Sequence, residues 1–426
     1  MGFINFFIDQ ILREPALFLG IIAMFGLILQ KKGFSDIVGG VLKTVVGVVI
    51  LTIGTSILVD SLIPLSDVFN VINNMDADEI ITPIGSDIII SEYGTHIGLA
   101  MLFAFLINLL VARFTPIKNV FLTGHMLFWF PFIFVSVAIE SGIQGAGITI
   151  FATIFTSLYI IIAPALIKPF VKQVTGNDSF TLGHPTIGLS ILAGYIGKWF
   201  GNKEKSTEDI KFPKQMEFLR EITITSSIVV FIVYIVLSFM VGLSEAQIIF
   251  GTSNNIFMYS IMQGALFGAG LTILLQGVRM MLAEIIPAFK GISDRIIPNA
   301  VPALDCPIIF PFAPNAVLIG FIVSMITSTI TLFFIGGIGL LPFVILPLTI
   351  TCFFEVGTSA VIANGTGGLK GAVLGSAVAG VVIILLVGLS IPFLQHTSAD
   401  WIIIFGGNDF SLWAIISGLF GRLFGS

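Results

Sequence analysis

The sequence predicts an all-α polytopic membrane protein of about eleven transmembrane helices, with inverted repeats and broken, re-entrant segments. The 426-residue chain is 56% hydrophobic and only 10% charged, with a mean hydropathy of +1.08. Soluble domains carry about 25% charged residues, so this composition is typical of a membrane protein. Prolines and glycines also interrupt some apolar stretches, and such breaks at membrane depth are tolerated where they are buried in protein or line a wet cavity.

The apolar windows that are long enough to cross a bilayer fall into two groups. The first group is 16–30, 39–62, 95–112, 119–139 and 145–167, and the second is 222–242, 254–278, 316–335, 341–363 and 370–393. The short, Gly- and Pro-interrupted segment 180–200 is interpreted as re-entrant. The chain is therefore predicted to be a single integral membrane unit, 1–426, with approximate inverted repeats 16–200 and 222–393 and a final helix 401–421.

Positive charge predicts the orientation of these spans. If the N-terminus lies outside the cell, all but two of the 19 Lys and Arg residues fall on the cytoplasmic side. The exceptions are Arg13, which falls outside, and Lys43, which lies within a span. The opposite orientation would invert this bias, so the positive-inside rule predicts an outside N-terminus and a cytoplasmic C-terminus.

A short internal similarity supports the repeats. Residues 47–64 and 270–287 align without a gap, and they run in opposite directions through the membrane in the predicted orientation. This is the pattern of an inverted-topology repeat, whose binding site lies at the repeat interface. Coincidence is the alternative, since Gly, Ile and Leu are common here. The first copy contributes Gly47, Ile50, Leu51, Gly54, Ile63 and Pro64, which match Gly270, Ile273, Leu274, Gly277, Ile286 and Pro287.

The stretch 304–317 combines a carboxylate, Asp305, with Pro307, Pro311 and Pro314. The three prolines lack amide donors and clash with a continuing helix, so the backbone must break here. A carboxylate at membrane depth is costly and indicates a functional site. A cap of the following helix is the structural alternative for Asp305. The stretch predicts a substrate or ion site in a transport protein.

Two histidines also lie at predicted membrane depth beside backbone breakers. His125 follows Gly124, and His184 lies between Gly183 and Pro185. Imidazole donates and accepts hydrogen bonds, which suits ligands rich in hydroxyls or carrying negative charge. A purely structural histidine is the alternative, but membrane depth favours ligand contact.

Four further polar or aromatic residues allow two interpretations each. Asn315 caps or orients the turn that follows Asp305, or it is a further substrate-binding residue. Glu355 is a proton or ligand site, or it accompanies a backbone break near Gly357. Thr55 serves helix packing or binding. Trp129 lies one turn after His125, where it stacks on a sugar ring or packs in the core.

Other function classes leave no trace in the sequence. The basic residues form no stripe for nucleic acid. Cys306 and Cys352 match no disulfide, metal or redox spacing, and no metal or cofactor is expected. A phosphate-cradling loop, a zinc-protease motif and a nucleophile elbow are also missing from the sequence. The driving force for transport is therefore expected to come from an ion gradient or from partner proteins.

Four pieces of sequence carry a resemblance to a known family. They are 121–126 (Phe-Leu-Thr-Gly-His-Met), 276–284 (Gln-Gly-Val-Arg-Met-Met-Leu-Ala-Glu), 291–298 (Gly-Ile-Ser-Asp-Arg-Ile-Ile-Pro) and the Asp305 stretch, 304–317. In this order they resemble the ascorbate-type IIC family. Members of that family are membrane subunits of the bacterial phosphoenolpyruvate-dependent sugar phosphotransferase system. The likeness covers nearly the whole chain.

The resemblance implies a homodimeric permease of the bacterial cytoplasmic membrane that moves a sugar by alternating access. It also implies that a separate IIB protein, supplied by IIA, phosphorylates the sugar, so that the chain itself is not an enzyme. His125, His184 and Asp305 match the family's ligand-binding positions, and Thr55 stands where a small hydroxyl residue contacts ligand.

Two positions depart from the family pattern, which has Gln one turn after the first His and directly after the second. Here these positions hold Trp129 and Pro185, which are therefore candidate substrate-binding residues that alter specificity. L-Ascorbate is the best single prediction, and a different sugar, sugar acid or polyol is the alternative. A proton-coupled secondary transporter that titrates Glu355 or Asp305 is a second hypothesis, and a membrane enzyme acting on lipid is a third.

Overall fold

The computed structural model describes residues 14–72, 84–210, 215, 218, 221–337 and 348–424. Most of these residues are helical, which confirms the predicted all-α membrane class. The helices are α1 (Pro15–Leu29), α2 (Phe34–Ile72), α3 (Ser86–Phe114), α4 (Gly124–Glu140), α5 (Ala146–Thr175), α6 (Ile187–Phe200), α7 (Ile222–Val241), α8 (Leu243–Ile249), α9 (Ile256–Arg295), α10 (Pro314–Gly337), α11 (Gly357–Ser390), α12 (Ala399–Phe405) and α13 (Asp409–Phe424).

Six helical stretches within the described ranges are long and apolar enough to cross a membrane. A seventh span results if α7 and α8, which meet at a bend of 113°, count as one. Shorter apolar helices include α1, α4 and α6. The chain is thus a multi-pass membrane protein, but the predicted number of eleven spans is not confirmed. The six stretches are Phe34–Leu65, Ile88–Phe114, Ala146–Thr175, Ile256–Met281, Pro314–Ile335 and Cys352–Phe393.

The predicted last helix, 401–421, is in fact two helices. α12 ends at Phe405, and α13 begins at Asp409. Gly407, between them, has a φ of +80°, a conformation that glycine adopts without the clash of a Cβ. The break places Asn408 and Asp409 in the interior, where both are buried.

A second break lies inside α11, between the predicted spans 341–363 and 370–393. Gly367 and Gly368 leave helical geometry, and Gly368 has a φ of +61°. Residues 338–347, which include the start of the predicted span 341–363, lie outside the described residues.

Three short parallel strands form a small sheet that the sequence did not predict. They are β1 (Asn119–Phe121), β2 (Thr181–Leu182) and β3 (Val301–Leu304), in the order β1-β3-β2. Asn119 pairs with Val301, and Thr181 pairs with Ala303. The strands come from three distant parts of the chain, and their mutual hydrogen bonds satisfy the backbone where the helices stop.

The helices α2 and α9 pack closely together, antiparallel to each other, along most of their length. Gly47 faces Gly277 and Gly54 faces Gly270, so that a Cβ added at any of the four would lie 3.2 Å or less from the facing glycine's carbonyl oxygen. Nearby on the same two helices, Lys43 Nζ pairs with Glu284 Oε1 at 3.1 Å. Small residues allow such close backbone contact between membrane helices.

Candidate functional site

A cavity of about 410 Å³ lies where the sheet meets the surrounding helices. Its wall combines a few polar side chains with many apolar and aromatic ones, as is usual for a small-molecule site. The volume is sufficient for a monosaccharide-sized ligand.

The sheet brings three of the predicted site residues together. His125, His184 and Asp305 follow β1, β2 and β3 by four, two and one residues, respectively, and the carboxyl ends of parallel strands meet at one edge. His125 Nε2 lies 3.4 Å from Asp305 Oδ2, and His184 Nε2 lies 3.5 Å from Asp305 Oδ1. We call these residues the His–Asp cluster. All three line the cavity.

Asp305 serves as a cap as well as a wall residue. Its Oδ1 accepts a hydrogen bond of 2.7 Å from the amide of Cys306, the first residue of a 3-10 turn, Cys306–Phe312. The structural alternative raised by the sequence is therefore correct, but the carboxylate also faces both histidines. A cap alone would leave the two imidazoles unexplained.

His184 is the most deeply buried member of the cluster, with 5% of its surface exposed. The Tyr159 hydroxyl lies 2.8 Å from its carbonyl oxygen. Its Nδ1 has no hydrogen-bond partner among the described residues. His125 is more open, so the cluster presents one fixed and one accessible imidazole to the cavity.

Aromatic rings form a large part of the cavity wall. The Trp129 and Trp401 ring centroids are 4.8 Å apart, with an angle of 31° between the planes. Phe405 and Phe410 also line the cavity. Trp129 therefore packs against other rings, as one interpretation of the sequence has it, and it also lies in the cavity wall. Its stacking on a sugar ring stays a prediction.

Glu355 lines the cavity from a different element. It lies in a π-helical turn, Cys352–Val356, directly before α11, and 6% of its surface is exposed. Asn408 Nδ2 donates a hydrogen bond of 2.8 Å to Glu355 Oε1. Glu355 Oε2 is buried and has no hydrogen-bond partner within the described part of the chain.

The remaining predicted site residues lie elsewhere. Pro185 is buried next to His184 but is not part of the cavity wall, and its carbonyl accepts a hydrogen bond from the amide of Asp409. The side chain of Thr55 lies outside the described residues, whereas Thr52, one turn earlier on α2, lines the cavity.

Asn315 is also absent from the cavity wall. Its amide N–H donates to Glu208 Oε1 at 3.0 Å, and its Nδ2 donates to the Thr207 carbonyl at 3.3 Å. Asn315 therefore orients the first turn of α10 by tying it to the loop before α7. Burial raises the pKa of the Glu208 carboxyl above its usual value.

Several wall residues were not singled out from the sequence. Trp401, Phe405 and Phe410 line the cavity, and Asn408 contacts Glu355. The sequence does contain a pattern that indicates a site here, because Gly406-Gly407-Asn408-Asp409 places a backbone break and an acid inside an apolar run. The Asp305 stretch was recognised from the same combination.

The donor set limits the chemistry of the site. The ligand atoms of His125, His184 and Asp305 lie within 4.8 Å of one another, and two imidazoles with a carboxylate suit either hydroxyl groups or a divalent transition metal. Among the described residues, the surrounding wall includes no Lys or Arg side chain. Together with the aromatic rings, this arrangement favours an organic molecule with several hydroxyls.

Comparison with known proteins gives two findings. The family model described as "PTS system sugar-specific permease component" (EIIC-GAT) matches residues 10–409. The chain is also similar to the "Ascorbate-specific PTS system EIIC component" of Mycoplasma pneumoniae. The two are 28% identical over 446 aligned positions, which cover 92% of this chain and 67% of that protein.

Proposed function

The chain belongs to the family of PTS system sugar-specific permease components, and we propose that it translocates L-ascorbate or a related sugar, sugar acid or polyol across the bacterial cytoplasmic membrane. The observation that carries this proposal is the His–Asp cluster in a cavity of about 410 Å³. Ascorbate is the first candidate because the Mycoplasma pneumoniae relative is named for it.

The proposed substrate contacts follow from the cavity wall. His125, His184 and Asp305 supply hydrogen bonds to the substrate hydroxyls or enediol. Trp129 offers an apolar face to the ring. Thr55 is a further proposed contact on α2. Pro185 stands where the family pattern has Gln, and proline has no side-chain amide. The site therefore lacks a hydrogen-bonding group that could distinguish one arrangement of substrate hydroxyls from another.

We propose that transport is coupled to phosphorylation of the sugar by a separate IIB protein, which IIA supplies. Partners of this kind are general for the PTS permease family. The chain then acts as a transport component, and the phosphorylated IIB protein donates its phosphoryl group to a hydroxyl of the sugar. This proposal fits the sequence, in which no phosphate-cradling loop occurs.

We propose further that alternating access depends on inverted repeats, 16–200 and 222–393. The glycine contacts between α2 and α9 support this idea. In the repeat alignment Gly47 corresponds to Gly270, and Gly54 corresponds to Gly277. The observed pairs are Gly47 with Gly277 and Gly54 with Gly270. A twofold axis between the helices interchanges these two pairs, as it would in an isologous interface.

The proposal also includes the orientation of the chain in the membrane and its assembly. The positive charge distribution supports an N-terminus outside the cell and a cytoplasmic C-terminus. A homodimer in membrane lipid is proposed from the family resemblance. The exposed apolar side chains on the described membrane helices, such as Phe239 and Phe334, are suited to contact with lipid or a second subunit.

Uptake measurements test the function. In cells that express this chain with its IIA and IIB partners, labelled L-ascorbate, pentitols and hexitols are supplied, and the internal product is identified. We expect a phosphorylated product whose formation requires IIB. Accumulation of unmodified substrate without IIB, driven by a proton gradient, would contradict this mechanism.

Such accumulation would support the second candidate, a proton-coupled secondary transporter of a small hydroxylated or anionic solute. The observation in its favour is Glu355, a buried residue of the cavity wall whose Oε2 has no hydrogen-bond partner among the residues that the structure describes. Buried carboxylates in membrane helices serve as proton relays in many transporters.

A further inference from the structure

We infer that Glu355, held in position by Asn408, is a specificity-determining contact that binds a substrate hydroxyl not bound by the His–Asp cluster. The inference rests on the proposed sugar-permease function and deepens it by naming the substrate class. The substrate is then a polyhydroxylated molecule with hydroxyl donors for two separate carboxylates, Asp305 and Glu355.

The first support is the unpartnered oxygen. Glu355 forms part of the cavity wall, yet its buried Oε2 accepts no hydrogen bond within the described residues. A buried acceptor left without a donor costs about 1–3 kcal/mol, and more if it is charged. Buried polar groups are nearly always paired, so an exception in a cavity wall indicates a partner that arrives with the ligand.

The second support is the way in which the rest of the residue is fixed. Asn408 Nδ2 donates to Oε1, whereas the Glu355 carbonyl accepts hydrogen bonds from Thr186 Oγ1 at 2.7 Å and Ser359 Oγ at 2.8 Å. Asn408 is itself fixed, because its Oδ1 accepts the amide of Phe410 at 3.1 Å. Within the described residues, Oε1 and the carbonyl of Glu355 are thus engaged, and Oε2 is the side-chain oxygen left to serve a ligand.

The third support is the position of Glu355 in its helix. The π-helical turn Cys352–Val356 inserts a bulge at the start of α11, and π-bulges occur frequently at functional sites. Thr186, which holds the Glu355 carbonyl, lies two residues after His184. The same short segment therefore supports one residue of the His–Asp cluster and the bulge that carries Glu355.

The chemistry of the ligand follows from these contacts. A carboxylate oxygen binds a hydroxyl or another donor, and it repels a second carboxylate. The described part of the cavity wall offers no Lys or Arg to offset such repulsion. The group that reaches Glu355 is therefore a sugar hydroxyl, and a site built to hydrogen-bond a hydroxyl strongly rejects the analogue that lacks it.

The test compares deoxy analogues in two proteins. L-Ascorbate, xylitol and galactitol are screened against the purified wild-type chain, and single-deoxy analogues of the compound that binds are titrated against wild type and Glu355→Gln. Glutamine retains the acceptor for Asn408 and replaces Oε2 with a donor. We expect one analogue to bind wild type about tenfold more weakly than its parent, and we expect Glu355→Gln to reduce that difference to about threefold or less.

Two further variants separate specificity from folding. Asn408→Ser removes the hydrogen bond to Glu355 Oε1, so it should also reduce the difference in affinity between the parent compound and its deoxy analogue. This variant provides the test if Glu355→Gln does not fold. Glu140→Gln is the matched control, because Glu140 is largely buried, pairs with His396 and lies outside the cavity wall. It should leave all affinities unchanged.

The outcomes are distinct. The role of Glu355 would be overturned if the ratio of parent to analogue affinity were the same in wild type and Glu355→Gln. A variant that loses affinity equally for the parent and for every analogue would give this result. Absence of wild-type binding to all three parent compounds would instead contradict the proposed sugar function.

Discussion

The hydroxyl of Tyr159 lies 2.8 Å from the carbonyl oxygen of His184, and it lies equally close to Asp409 Oδ2. Asp409 Oδ1 in turn accepts the amide of Gly188 at 2.9 Å. These bonds fix both sides of the short segment that carries His184. The imidazole is therefore positioned through its backbone, and its Nε2 faces Asp305 Oδ1 at 3.5 Å.

Tyr159→Phe should weaken substrate binding indirectly, because residue 159 does not line the cavity. The ring packing on Phe130 is retained, but the hydroxyl that holds the His184 backbone is lost. We expect a loss of about 1 kcal/mol or more in stability, together with weaker ligand binding. Thermal unfolding and ligand titration measure the two effects.

Tyr234→Phe is the control for this variant. Tyr234 is also fully buried, and its hydroxyl donates to the Ser61 carbonyl at 2.7 Å, away from the cavity wall. It should lose similar stability but retain wild-type affinity. If both variants lost the same affinity, the weaker binding would result from lower stability of the protein and not from the position of His184.

Asp305→Asn and His125→Ala should each reduce binding by about a hundredfold or more while the protein stays folded and keeps the oligomeric state of wild type. Asparagine retains an acceptor for the Cys306 amide, so the cap survives, whereas the charge that faces both histidines is lost. Titration and gel filtration of the purified variants measure affinity and assembly. Wild-type affinity in both variants would mean that the cluster is structural.

Trp129→Phe should reduce ligand affinity severalfold, since the smaller ring offers less surface to the substrate and opens a gap beside Trp401. Tryptophan fluorescence during ligand titration reports on the same site. Trp199→Phe is the control, because Trp199 is 68% exposed and lies outside the cavity wall. If the fluorescence change on ligand addition were the same in Trp129→Phe as in wild type, Trp129 would not be a substrate contact.

Gly54→Ala should destabilise the protein by about 1–3 kcal/mol. The added methyl group would meet the backbone nitrogen of Leu274 and the carbonyl oxygen of Gly270, and neither can move without separating the helices. Gly39→Ala lies on the same helix with open space around it and should be neutral or slightly stabilising. Thermal unfolding of both variants measures the difference, and equal unfolding temperatures would contradict tight packing here.

The membrane class and the His–Asp cluster could be predicted from the sequence because both depend on local chemistry. Apolar composition indicates helices in lipid, and Asp305 among prolines indicates a broken segment in a wet cavity. The same reasoning could not reveal the sheet. Two to four residues per strand are too few for a periodic pattern, and the partners are up to 182 positions apart in sequence, as Asn119 and Val301 are.

The contribution of 401–410 to the site was missed for a different reason. Trp401 and Phe405 look like residues of an ordinary membrane helix, and only the fold shows that Gly407 ends that helix beside the cavity. Asn315 shows what sequence reasoning could and could not supply. Its place after Asp305 suggested that it orients a turn, and its hydrogen bonds do so, but the partners Thr207 and Glu208 are more than a hundred positions away in sequence.

The glycine contacts between α2 and α9 also restrict how the cavity can open. Two backbones that interlock at Gly47, Gly54, Gly270 and Gly277 cannot slide past each other, so the two helices move as one block. Leu51 and Met281 of this block form one side of the cavity, and the His–Asp cluster forms another. A molecule in the cavity would therefore contact the α2–α9 block on one side and the His–Asp cluster on the other, and we expect its release to change the separation of these two walls.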